Sequence, residues 1–237
     1  EAAGFSRQII LSFGFRIASI LTSILATAIN RQFAGTSDLT QIAPQAGFLF
    51  LLAAGLRLGV LPLNLPFLQE PSLRRGAGNI IRLAPVSASL SLLARLPEGI
   101  VTPNLTAWMP LFHGLLSIAA LYAGFRWLLA TETITGRPYW IITWAALAVA
   151  SVLNGAPSAS LAWGMALILP GSLLFLYYPR IQRMNFLLYF GLIGLIGLPF
   201  TPIASGWLGL MANGVNLWTF LYIFAHALLI LGYLEFS

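Results

Sequence analysis

The chain has 237 residues, of which 59% are hydrophobic and 8% charged, and its net charge of +6 comes from twelve arginines with no lysine. No polar segment is long enough to form a separate soluble domain, and the arginines gather at the ends of apolar runs, so the charge reads as membrane topology rather than nucleic-acid binding. Cysteine is absent, which excludes disulfides, thiolate metal sites and iron–sulfur ligation.

Mean hydropathy is +0.88, and several runs reach the roughly 20 residues that cross a bilayer. The expected fold is an all-α polytopic membrane bundle, a single transmembrane domain over 1–237 with about eight spans. The opening EAAGFSRQ has no signal-peptide pattern and no initiator Met, so the chain is expected to be a fragment or part of something longer. The first span, about 8–30, carries Arg16 and the small hydroxylated residues Ser12, Ser19, Thr22 and Ser23, which suit close helix packing. A polar loop with Asp38 follows.

The second span, 43–63, holds Arg57 in its interior and leads into Pro62, Asn64 and Pro66. A charge at that depth costs about 2.5 to 3.5 kcal/mol and normally faces protein or water. An arginine, an amide and a broken helix together point to the lining of a polar path; the plain alternative is that Arg57 pairs with a carbonyl or snorkels to the interface. The third span, 76–96, contains Arg82, Pro85, Ser87, Ser89 and Ser91, and again reads as a broken helix. Arg82 is either an interfacial anchor or a second charge on the polar axis.

The span at 107–130 has His113 near its start and Arg126 near its end. TETITGRPYW, 131–140, is expected to be a polar connection. Next come 138–154, the turn NGAPS, and 160–178, expected to break at Pro170–Gly171. The span at 186–206 is interrupted by Gly197, Pro199 and Pro202, and the last, 208–234, contains His226. Alternating spans put Arg7, Arg74, Arg75, Arg82, Arg126, Arg137, Arg180 and Arg183 on one side and Arg31 and Arg95 on the other. The positive-inside rule then makes the richer side cytoplasmic, with both termini.

No glycine-rich phosphate loop, HExxH or GxSxG is present. His113 and His226 lie on different spans. Either can ligate a haem or pigment, but a lone membrane histidine more often hydrogen-bonds a neighbouring helix, and no cofactor or metal is expected. None of the six carboxylates, Glu1, Asp38, Glu70, Glu98, Glu132 and Glu235, lies deep in a span. That weighs against a self-sufficient proton pump.

The order of these features resembles the antiporter-like membrane subunits of respiratory NADH:quinone oxidoreductase, shared with multisubunit cation/proton antiporters and membrane-bound hydrogenases. EAAGFSRQIIL, 1–11, is similar to the opening of that family's sixth helix, and FAGTSDLTQIA, 33–43, to the loop after it. GLRLGVLPLNLPFLQEP, 55–71, resembles the stretch where a lysine precedes a proline, a histidine and Trp-Leu-Pro. SASLSLLARLP, 87–97, is similar to the end of the next helix. GFRWLLATETITGRPYWIITWA, 124–145, occupies the place of a connection into a broken helix. GLIGLIGLPFTPIASGW, 191–207, is the most specific match. The resemblance runs from residue 1 to about 210, without the family's first five helices.

By this resemblance Arg57 stands where the family has its central lysine, and Asn64 near its histidine. An arginine stays protonated where a lysine can cycle, and 163–175, the place of a second lysine, carries no charge. The resemblance implies a membrane-arm subunit of a larger redox- or cation-coupled complex. Its proton or ion pathway candidates are Arg57, Asn64, Arg82, Ser87 and His113. Its partners are other membrane subunits and the lipid bilayer, with no nucleic acid. Its setting is a bacterial cytoplasmic membrane or an organellar, including thylakoid, energy-transducing membrane. The alternatives are a non-conducting structural or assembly subunit and a free-standing transporter of a small solute.

Overall fold

The computed structural model describes residues 2–66, 75–176 and 185–236. The readings that fall on Glu1, Glu70, Arg74, Arg180 and Arg183, and on the side chains of Arg7 and Arg75, lie outside the described residues. The described residues are helical with no strand: α1 (Ala2–Ala34), α2 (Pro44–Leu58), α3 (Arg75–Ala94), the short α4 (Pro103–Thr106), α5 (Met109–Leu128), α6 (Thr133–Leu153), α7 (Ala159–Leu176), α8 (Asn185–Leu195), α9 (Pro202–Leu210) and α10 (Leu217–Phe236).

Among the described residues five segments are long and apolar enough to cross a bilayer: Ile10–Ala34, Gly76–Ala94, Met109–Leu128, Ala159–Leu176 and Leu217–Phe236. This is the make-up of a multi-pass membrane protein, but it is not eight spans. At 1.5 Å per residue, α2 measures about 22 Å, α8 about 16 Å and α9 about 13 Å, against about 30 Å of hydrocarbon. α2 ends at Leu58 because Gly59 takes the left-handed conformation, φ 78°, which glycine adopts without steric cost. A Cβ there would meet the Asn64 carbonyl and side chain.

α6 is the axis. Every residue from Gly136 to Leu153 is buried. A helix apolar on all sides is buried on all sides, and Ala145, Ala146, Ala148, Ala150 and Ser151 let its neighbours approach closely. Thr143 Oγ1 lies 3.4 Å from the Ala120 carbonyl of α5, and Trp140 Nε1 donates to the Leu167 carbonyl of α7 at 3.1 Å. Asn154, just past the end of α6, donates from Nδ2 to the Leu210 carbonyl of α9 at 2.8 Å. The expected polar connection 131–140 is therefore wrong from Thr133 on: that stretch is the first part of α6 and includes Pro138.

Two expected breaks do not occur. α3 continues through Pro85 and α7 through Pro170, since one proline removes one donor and neighbouring groups in a bundle compensate. The third break does occur. α8 stops at Leu195, Gly197 (φ 78°) and Phe200 (φ 71°) are left-handed, and Pro202 starts α9. Glycine just past a helix end and proline at the first helical position are the ordinary stop and start signals. α1 stands at the edge, packed chiefly on α2, with Ser19 Oγ donating to the Ala53 carbonyl at 2.8 Å.

Candidate functional site

The helices bring one set of loops to one end of the bundle. Asn30, buried at the close of α1, holds the 35–43 loop: its Nδ2 donates to the Thr36 and Gln41 carbonyls at 3.0 Å each, and its Oδ1 accepts the Ala43 N–H at 2.7 Å. Gly47 of α2 abuts Pro97 and Ile100. Asn213 donates to the Asn154 carbonyl at 3.3 Å. This end carries Arg31 and Arg95, whereas Arg126 and Arg137 lie at the other. There Arg126 sits over the Tyr139 ring at 5.3 Å and Arg137 over Phe175 at 5.5 Å.

A cleft of about 500 Å³ opens at the arginine-poor end, and its lining includes Glu98, His113, Asn154, Asn213, Asn216 and Trp218. Asn216 caps α10: its Oδ1 accepts the Thr219 N–H and hydroxyl at 3.1 Å each, an arrangement that satisfies donors left open at a helix start. That cap sets Trp218 against the His113 ring, with centroids 6.3 Å apart and planes 19° apart.

His113 leads from the cleft into the bundle. Tyr222 Oη lies 3.1 Å from His113 Nδ1 and 3.3 Å from the His113 carbonyl, so the hydroxyl can donate to the carbonyl while it accepts from Nδ1–H. Ser117, one turn along α5 from His113, has a buried hydroxyl beside Tyr222 that falls short of hydrogen-bond geometry. Tyr222 and His226 are four residues apart and so share one face of α10, and both are buried.

His226 is the tenth of the twenty residues of α10, which puts it at the middle of a spanning helix. Three indoles surround it: Trp144 of α6 at 5.3 Å, Trp207 of α9 at 5.5 Å and Trp163 of α7 at 6.1 Å between ring centroids. α10 also packs on α8, whose last residue is Leu195. A helix end leaves its last four carbonyls without intrahelical partners, so the α8–α9 interruption leaves open backbone on a helix packed against α10.

The sequence-derived candidates are scattered. Arg57 is exposed in the last turn of α2, not in the interior of a span, where a cation suits the helix C-terminus. Asn64 is half-buried past that helix, its Oδ1 enclosed without a hydrogen-bond partner among the described residues. Arg82 is buried a third of the way along α3. Ser87 is half-buried and donates to the Ala84 carbonyl at 2.8 Å, and Ser89 to the Pro85 carbonyl at 3.0 Å; both hydroxyls turn back on their own helix. Only His113 joins the cleft, and it hydrogen-bonds a neighbouring helix.

Sequence reading missed Tyr222, Trp144, Trp163 and Trp207, and left His226 as a lone histidine. One signal was available: Tyr222, His226 and Tyr233 recur at four and seven residues, a single helical stripe. Comparison with protein-family models, with curated proteins and with solved structures finds no match to this chain.

Proposed function

We propose that the chain is an antiporter-like subunit of the membrane arm of a larger redox- or cation-coupled complex, and that it carries protons. The observation that carries this reading is His226, at the centre of an apolar spanning helix that packs on the interrupted helix α8. An ionisable residue inside a membrane marks a pathway by default, and interrupted helices whose free backbone ends point at the bilayer's middle are the usual ion and proton sites of transporters. The route runs from Glu98 and His113 in the cleft, through the Tyr222 hydroxyl, to His226 one turn further. His113 accepts at one ring nitrogen and releases from the other to the Tyr222 hydroxyl, 3.1 Å from Nδ1; the hydroxyl gives up its own proton in turn, and a water between it and His226 carries that proton across the remaining turn. By the positive-inside rule the cleft, at the arginine-poor end, opens away from the cytoplasm.

The α8–α9 interruption also supports membership in a complex. Ile196, Leu198 and Phe200 are 50%, 47% and 105% exposed on non-helical backbone at the depth of His226. Irregular backbone at that depth is stable only against protein or in a water-filled cavity, not against lipid. Arg57 then acts as a fixed charge near the arginine-rich face rather than as a relay. An energy-transducing membrane is the setting this role requires.

A second reading, a non-conducting structural subunit, is favoured by the exposure of Arg57 and by the unbroken courses of α3 and α7. Reconstitution with the subunits that co-purify separates the two, using a potassium diffusion potential to drive protons past a lumenal pH dye. The expected result is proton flux above empty liposomes that falls at least about tenfold, a barrier rise of about 1.4 kcal/mol, in Tyr222→Phe and His226→Gln. Wild-type flux equal to empty liposomes, or unchanged flux in both variants, sinks the conducting reading.

A further inference from the structure

Four tryptophans are fully buried in the bundle: Trp127, Trp140, Trp144 and Trp163. Their indole N–H groups distinguish them. Trp127 donates to the Leu229 carbonyl at 3.2 Å, Trp140 to the Leu167 carbonyl at 3.1 Å, and Trp163 to Ser151 Oγ at 2.8 Å. Trp144 Nε1 is enclosed and meets no acceptor among the described residues. Trp144 packs edge-on against two rings, Trp140 at 69° and His226 at 66°, and Nε2 of the His226 ring is also enclosed without a partner there.

In a neutral imidazole one ring nitrogen carries the hydrogen and the other accepts, so Nε2 is an acceptor in the Nδ1–H tautomer. Trp144 Nε1–H and His226 Nε2 are both enclosed, on rings whose centroids lie 5.3 Å apart. Buried polar groups are almost always satisfied, and these two do not bond each other.

We propose that His226 is the Nδ1–H tautomer, and that Trp144 Nε1–H and the unprotonated His226 Nε2 together hold one small molecule that accepts one hydrogen bond and donates another, a water molecule. Ammonium cannot fill the site, because it has no acceptor for the indole N–H. Ammonia shares the required chemistry and is distinguished by the test below. The walls restrict size: Trp163 and Trp207 close the box, and even a methyl added at Gly206 would come within 2.7 Å of Trp163. A molecule bridging two or more polar partners in such a place is a structural water. Its role as the proton-bearing station between Tyr222 and the α8–α9 interruption rests on the function proposed above; the site itself does not.

The test is magic-angle-spinning NMR of protein labelled with ¹⁵N-histidine, in bilayers with its co-purified subunits. The chain has two histidines, so the wild-type spectrum holds two rings, and His113→Gln assigns the remaining one to His226. The expected result is an unprotonated Nε2 with a cross-peak to a water proton, lost in D₂O. Trp144→Phe, which keeps an aromatic ring and removes only the N–H, weakens that cross-peak and shifts Nε2. A protonated Nε2, a cross-peak to the Trp144 indole proton in its place, or no exchangeable proton near Nε2 overturns the proposal. Addition of ¹⁵N-ammonia at alkaline pH is expected to leave the spectrum unchanged. A new ¹⁵N signal in contact with Nε2 would make ammonia the ligand and overturn water. A water cross-peak in protein that shows no proton flux would leave the site standing and refute the relay.

Discussion

Replacing Gly206 by alanine tests whether the aromatic box is as rigid as its contacts indicate. An added methyl would lie 2.7 to 2.9 Å from three atoms of the Trp163 indole. Comfortable carbon–carbon contact begins at about 3.5 Å, so the ring or α9 must retreat by nearly 1 Å. Trp163 has no free direction. Trp144 stands 5.7 Å away on one side and Trp207 5.4 Å away on another, and the indole N–H is tied to Ser151 at 2.8 Å. Overpacking of this kind costs about 1 to 3 kcal/mol, and stretching the Ser151 bond adds about 0.5 to 1.5. Alanine regains about 0.5 to 1 in helix propensity, which leaves a net loss near 2 kcal/mol. The assay is reversible unfolding in mixed micelles with increasing sodium dodecyl sulfate, followed by tryptophan fluorescence. Gly14→Ala is the control, because a Cβ there meets nothing within 4 Å; it is expected to leave stability unchanged or raise it by up to about 1 kcal/mol. A Gly206→Ala variant as stable as wild type, or a control equally destabilised, would refute the packing argument.

Asn30→Leu removes the partners of the Thr36 and Gln41 carbonyls and of the Ala43 N–H, and is expected to cost about 2 to 4 kcal/mol in the same titration, since each stranded group costs about 1 to 3 and water recovers part of it; a loss below about 0.5 would show that the loop does not depend on this amide. The cysteine-free chain allows a single spin label at Phe200→Cys. In membranes with its partners the label is expected to be shielded from oxygen relative to one at Ile118, on the exposed face of α5, and shielded from a polar nickel chelate as well. Oxygen access equal to that at Ile118 would put lipid, not a partner helix, at the interruption. Asp38 is held below the ordinary carboxylate range by the Thr40 hydroxyl and then by the Thr40 N–H at 3.1 Å. A lowered folded-state value favours folding above the unfolded-state range and loses that effect as pH falls through the folded-state value. Thr40→Val is expected to raise the midpoint of the Asp38 carboxyl resonance, and an unchanged midpoint would remove the hydroxyl as its cause.

The fate of the three proline interruptions shows where sequence reading runs out. Pro85, Pro170 and Pro199–Pro202 look alike along the chain. α3 and α7 absorb one proline each, while the third region combines Gly197, two prolines and the left-handed Phe200 within a few residues. One missing donor is a local cost that packing offsets, whereas three adjacent conformational demands end a helix. Arg57 illustrates the converse. Its apolar surroundings in sequence suggested depth, yet Gly59 ends α2 two residues later and turns depth into a helix terminus.

The sequence by itself determined the medium and the all-helical class, but not where each helix starts, stops or breaks. A 59% hydrophobic chain satisfies its backbone in a bilayer as helices or as a closed barrel, and apolar runs of about 20 residues select helices; its two histidines and the 197–202 interruption could be read directly. The tertiary structure decided which of these meet. Helical periodicity fixes the neighbours of a residue three and four positions away, but nothing in it specifies which face of α6 turns to α10, or that Trp144, Trp163 and Trp207 converge from three helices on His226. That convergence comes from close packing around the small residues of α6 and Gly206, where the shapes of distant segments select one another.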